Sequence, residues 1–93
     1  MPTATPQIQI ENDTVRVTEW NFTVGAETGH HRHEHDYVIV PLTTGNLKII
    51  DNDGKETISH LIKGKPYFRR EGVEHNVIND SGTEFAFIEI ELL

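Results

Sequence analysis

Turn-forming residues cut this chain into short pieces, and that spacing limits what it can fold into. Ala26–Gly29, Asp51-Asn52-Asp53-Gly54, Gly64 and Asn79-Asp80-Ser81-Gly82 recur at intervals that suit strands. Between them lie Gln7–Ile10, Thr14–Val24, Tyr37–Leu42, Asn46–Ile50, Glu56–Ile62, Lys65–Arg70, His75–Ile78 and Glu84–Leu92, rich in β-branched and aromatic residues. No segment of ten or more residues carries a helical period. The pattern predicts an all-β protein of about nine or ten short strands, a sandwich or barrel. Residues 1–6, with two prolines and two threonines, read as a flexible tail, and 7–93 as one domain.

Ninety-three residues leave room for one small core. There is no cysteine, which removes disulfides, zinc–thiolate sites and thiol nucleophiles together. Such a domain draws stability from elsewhere, and a bound metal or a second subunit are two sources. The net charge of -7, with scattered cations, argues against a nucleic-acid partner, which needs a basic face. No apolar run approaches the ~20 residues of a membrane span, and the start MPTATPQ lacks signal-peptide character. The expectation is a cytoplasmic protein without a membrane partner. Asp51–Gly54 is a hairpin turn and not a calcium loop, because its glycine comes fourth and not sixth.

Two strands are apolar on both faces. YVIVPL shows no alternation, and in EFAFIEIEL Phe85 and Phe87 share one face while Ala86, Ile88, Ile90 and Leu92 share the other. A strand apolar on both faces is covered on both. In so small a barrel a second copy of the chain is the expected outer cover, giving a homodimer.

Four of six histidines fall within His30–His35. Side chains two apart on a strand share a face, so His31 and His33 point the same way, ~6–7 Å apart along the chain. Such a pair grips one cation from adjacent corners. His30 points away. His35 has the right parity, but Glu34-His35-Asp36 reads as a turn, where parity no longer applies. A third ligand must come from elsewhere, and His75 is the candidate, opening a strand after the turn at Gly72.

These segments together resemble the two sequence motifs of the cupin superfamily. The first is G-x5-H-x-H-x3,4-E-x6-G, matched by Gly25, His31, His33 and Gly45. The second is G-x5-P-x-G-x2-H-x3-N, matched by Gly64, Gly72, His75 and Asn79. The resemblance implies a single antiparallel jelly-roll barrel holding a divalent metal ion through His31, His33 and His75. The chain departs from the pattern twice. Arg70 stands at the proline position, and Tyr37 or Val38 stands where the motif has glutamate. The fourth ligand is therefore missing or is replaced by His35, Asp36 or Tyr37. The chain is also similar to very small cupins associated with β-alanine degradation, through VRVTEW and HRHE-x-DYVIVPLT.

Three neutral imidazoles leave the ion's charge uncompensated, which favours a small anionic or enolisable substrate that supplies the missing oxygen. The resemblance implies a metal-dependent enzyme, dioxygenase-like or an isomerase or lyase. Tyr37 is the candidate to position substrate or donate a proton. The metal could be Fe, Ni, Mn or Zn. Two alternatives stay open: a non-catalytic cupin that binds metal or a small ligand as an accessory or sensor, and a metal-free epimerase-like cupin with histidine as base.

Overall fold

The structure is a computed structural model and describes residues 2–93. Among them run nine strands: β1 (Thr5–Glu11), β2 (Val15–Phe22), β3 (His31–Arg32), β4 (Asp36–Pro41), β5 (Gly45–Asp51), β6 (Glu56–Leu61), β7 (Tyr67–Arg69), β8 (Glu74–Asn79) and β9 (Phe85–Leu92). They form two antiparallel sheets, ordered β1-β2-β9-β4-β7 and β3-β8-β5-β6, the jelly-roll arrangement. Burial alternates along the strands that line the interior. In β9, Phe85, Phe87 and Glu89 are buried while the residues between them are half-exposed.

The stretch 1–6, expected to be a loose tail, is tied down over its described part. The Glu27 amide donates to the Pro2 carbonyl at 3.1 Å, and the Ala4 amide donates to the Glu27 carbonyl at 2.8 Å. Ala4 is buried and β1 starts at Thr5. Small side chains and free backbone groups let the segment pair where composition alone suggested none. Met1 lies outside the described residues.

One end of the barrel is closed by packed side chains. Phe22, Phe85 and Pro41 are fully buried there, with Phe22 and Phe87 rings 5.4 Å apart. Gly45 is required at this end, because a Cβ on it would stand 2.8 Å from the Ser81 Cβ and 3.3 Å from the Phe85 ring. Asn79 closes the same end. Its amide donates to the Thr23 and Thr83 carbonyls at 3.0 and 2.7 Å, and its oxygen accepts from the Ser81 amide and hydroxyl. The other end opens into a cavity of about 350 Å³.

The outer face of the larger sheet is different in kind. Register places Ile10 beside Val17, Val17 beside Ile90, Ile90 beside Val38 and Val38 beside Phe68. This apolar row crosses all five strands, and its ends, Ile10 and Phe68, are about half exposed. No helix is long and apolar enough to cross a membrane among the described residues.

Candidate metal centre

β3 pairs with β8 so that His31 stands directly opposite His75. His33 follows just after β3, beyond the ladder, and the turn before β8 fixes its backbone. Its amide donates to the Val73 carbonyl, and the Gly72 amide donates to the His33 carbonyl, both at 2.8 Å. Gly72 sits at φ 95°, which an L side chain resists, so glycine is needed for this clamp.

The three imidazoles converge. His31 Nε2 lies 3.0 Å from His33 Nε2, which lies 3.1 Å from His75 Nε2, and one donor atom from each fits within 4.8 Å. His31 Nδ1 faces the Gly29 carbonyl at 2.9 Å, so that nitrogen carries the proton and donates. The lone pair of His31 Nε2 therefore points into the cluster. A single N–H on His33 Nε2 can satisfy one imidazole neighbour and not both. The donor set thus has more converging lone pairs than protons, which a cation resolves; the spacing suits adjacent corners around an ion with bonds of about 2.0–2.1 Å.

Burial keeps His33 and His75 neutral. It lowers His33 from the ordinary 6.5 to about 4, with His31 adding to the effect and Glu91 opposing it. It lowers His75 to about 3, again with His31 and His33 contributing. Neutral imidazole is the ligating form.

The other expected residues separate. His30 turns outward and pairs with Glu74 at 2.9 Å. His35 lines the cavity but stands outside the converging three. Asp36 accepts from the Glu71 amide at 2.8 Å, a structural role at a loop. Tyr37 is buried and stacks on His33, centroids 3.9 Å apart and planes 18° from parallel. Burial holds its hydroxyl protonated well above the usual tyrosine range, with Tyr67 and Glu89 reinforcing this. Arg69 lies over the Tyr67 ring at 4.4 Å.

Sequence reasoning missed Arg16, Glu89 and Glu91, all of which line the cavity. Glu91 accepts two hydrogen bonds from Arg16, at 2.8 and 2.9 Å, and that guanidinium holds its carboxyl below the usual range. Glu89 accepts from Trp20 Nε1 at 3.2 Å and lies 3.5 Å from His33 Nδ1. Burial pushes it up to about 7, opposed by the Trp20 hydrogen bond. The signal was present: Phe85 and Phe87 define the inner face of β9, and the same parity puts Glu89 and Glu91 there. Trp20 and Phe87 also line the cavity.

The site suits one small ligand beside a cation, with an apolar floor of Leu47, Ile49, Val77 and Phe87. No protein-family profile matches the chain. It is 53% identical over 91 residues to the β-alanine degradation protein BauB of Pseudomonas aeruginosa, covering 98% of this chain and 95% of that protein. A solved cupin domain from Bordetella pertussis is 55% identical and superposes with a TM-score of 0.95, covering 99% of this chain and 95% of that one. An RmlC-like cupin from Methanocaldococcus jannaschii shares only 11% identity, yet superposes at 0.79 over 99% of this chain and 82% of its own, a likeness of fold. With 55% of its residues shared across 95% of a solved cupin domain, the chain belongs to the cupin superfamily.

Proposed function

We propose that His31, His33 and His75 hold one divalent metal ion, and that the chain is a metal-dependent enzyme acting on a small anionic or enolisable metabolite. The observation that carries this is the convergence of three imidazole nitrogens at 3.0–3.1 Å around His33 Nε2, with His31 locked in the ligating tautomer. His35, at the cavity wall, is an additional donor within the same proposal. The relative's link to β-alanine degradation supports a place in the breakdown of small amino acids, and a cytoplasmic setting is part of the reading.

The bound ion supplies Lewis-acid stabilisation of negative charge on a substrate oxygen and, if it is iron, redox chemistry with dioxygen. The chain's own residues do the rest. Tyr37, kept protonated, offers an O–H to a substrate oxygen. Leu47, Ile49, Val77 and Phe87 displace water from the floor, which strengthens polar contacts above it. The Arg16–Glu91 pair closes one wall with its charges mutually satisfied.

The same proposal includes a homodimer formed through the outer face of the larger sheet, supported by the apolar row from Ile10 to Phe68.

The test is elemental analysis of untagged protein beside a His31→Ala/His75→Ala double variant. Close to one Fe, Ni, Mn or Zn per chain, lost in the variant, is expected. No metal in either protein after anaerobic reconstitution overturns the reading.

A further inference from the structure

His31 takes its orientation from a loop, and that loop is held by the strand that carries His75. β3 is fastened to β8 by two ladder pairs, so the His31 ring is aimed from its Nδ1 edge, where the Gly29 carbonyl accepts at 2.9 Å. Gly29 turns that carbonyl back on the ring at φ 84°, a conformation glycine adopts without strain. A backbone carbonyl only accepts. While it stays in place, the proton of the neutral ring sits on Nδ1 and the lone pair of Nε2 faces His33.

Asn76 keeps the Gly29 peptide there. Its Oδ1 accepts from the Gly29 amide at 3.0 Å, and its Nδ2 donates to Glu27 Oε1 at 3.3 Å, so it grips the loop on both sides of Thr28. Thr28 supplies the alternative. Its hydroxyl stands 3.3 Å from His31 Nδ1 and gives its own proton to the Gly29 carbonyl at 2.9 Å. A hydroxyl donates as readily as it accepts. With the Gly29 carbonyl turned away, the Thr28 proton would go to Nδ1, and the ring proton would move to Nε2 and cover the lone pair. The loop thus offers His31 two partners with opposite outcomes, and Asn76 fastens the one that leaves Nε2 free.

We propose that Asn76 is a positioning residue of the three-histidine site: by holding the Gly29 peptide it sets His31 in the tautomer whose Nε2 is free to ligate. Asn76 follows His75 on β8, so this one strand supplies one histidine directly and orients a second through the loop. The consequence for metal affinity rests on the metal reading; the tautomer itself does not.

The experiment reads the imidazole nitrogens of metal-free protein by long-range proton–nitrogen NMR at about pH 8, above the ordinary histidine value, with the His31 signals identified by their absence in His31→Ala. Zinc affinity is measured beside it by competition with a chromophoric chelator. Wild-type His31 is expected as the Nδ1–H tautomer. Asn76→Ala is expected to shift it towards Nε2–H and to weaken zinc binding roughly 10–100-fold. Gly29→Ala disturbs the same peptide through the backbone alone, since its methyl meets nothing within 4 Å, and is expected to act in the same direction. The Glu27→Gln/Asn76→Asp double variant keeps an acceptor for the Gly29 amide, reverses the bond between the two side chains and leaves the net charge unchanged. It is expected to restore both the tautomer and the affinity. The proposal is overturned if Asn76→Ala keeps the Nδ1–H tautomer whatever its affinity, if zinc affinity ignores a tautomer shift, or if the double variant restores neither. Zinc bound by none of these proteins sinks the metal reading alone, because the tautomer shift is read without metal.

Discussion

Tyr37 lies flat on His33, 3.9 Å between ring centroids, and fixes the plane of the central imidazole of the cluster. Tyr37→Phe keeps the stack and removes the hydroxyl. Metal content is expected to stay, so any loss of turnover in that variant belongs to the O–H. Tyr37→Ala frees the ring. Metal affinity, measured by competition with a chromophoric chelator, is expected to fall roughly 10–100-fold, as for other groups that orient ligands. Denaturant unfolding is expected to show a loss of about 3–5 kcal/mol. Equal metal affinity in all three proteins refutes the positioning role.

The pH dependence of the metal-free protein follows from three buried groups. His33 and His75 titrate lower in the folded chain than the ordinary 6.5, at about 4 and about 3. The unfolded chain then binds more protons, so stability falls as pH drops from about 6.5 towards 3. Glu89 is raised from 4.5 to about 7, so its contribution runs the other way and is lost as pH rises through that range. Two histidines oppose one glutamate between 4.5 and 6.5, which gives a shallow slope there. Below 4.5 Glu89 no longer opposes, and Glu91, lowered by Arg16, joins the histidines. Chemical unfolding from pH 3 to 8 is expected to show a gentle decline that steepens below about 4.5. Glu89→Gln is expected to steepen the upper part. A maximum of stability near pH 4 contradicts these signs.

Free histidine, with its ordinary value near 6.5, would give up a metal on acidification near pH 6. Burial keeps His33 and His75 neutral below that, so the release midpoint, followed by dialysis and elemental analysis, is expected below pH 6. Release complete at pH 6.5 refutes this.

Gly45→Ala places a methyl group 2.8 Å from the Ser81 Cβ. Ser81 is held by Asn79, so the loop cannot yield freely. The expected cost is about 1–3 kcal/mol in urea unfolding, with metal content unchanged, because neither Gly45 nor Ser81 lines the histidine cavity. No measurable cost means the loop moves.

Ile90 sits mid-row on the outer face of β9, between Val17 and Val38. Ile90→Glu is expected to turn a dimer into a monomer by sedimentation, with metal retained. A wild-type chain that sediments as a monomer removes this interface.

The fold and the three histidines were legible because turn residues, alternation and motif spacing are local signals. The Asp51–Gly54 turn joins β5 to β6 as read, with Asp51 Oδ1 accepting from the Asp53 and Lys55 amides at 2.9 Å. What stayed hidden depends on contacts distant in the chain. Arg16 meets Glu91 across 75 positions, and Ala4 is buried only because Glu27 receives it. His33 reaches the cluster from outside a strand, so strand parity gave the right direction through a geometry that ends one residue earlier.

β3 is two residues long and forms the edge of its sheet, yet it carries His31 and leads straight into His33. Two ladder pairs and two loop hydrogen bonds fasten it to its neighbours. A shared cation adds a bolt from this edge to His75 on β8. Metal-free protein is expected to open first at residues 29–36, and limited proteolysis with and without added metal checks this. On the metal reading, supply of the ion would set how long this edge stays closed as well as the chemistry of the site.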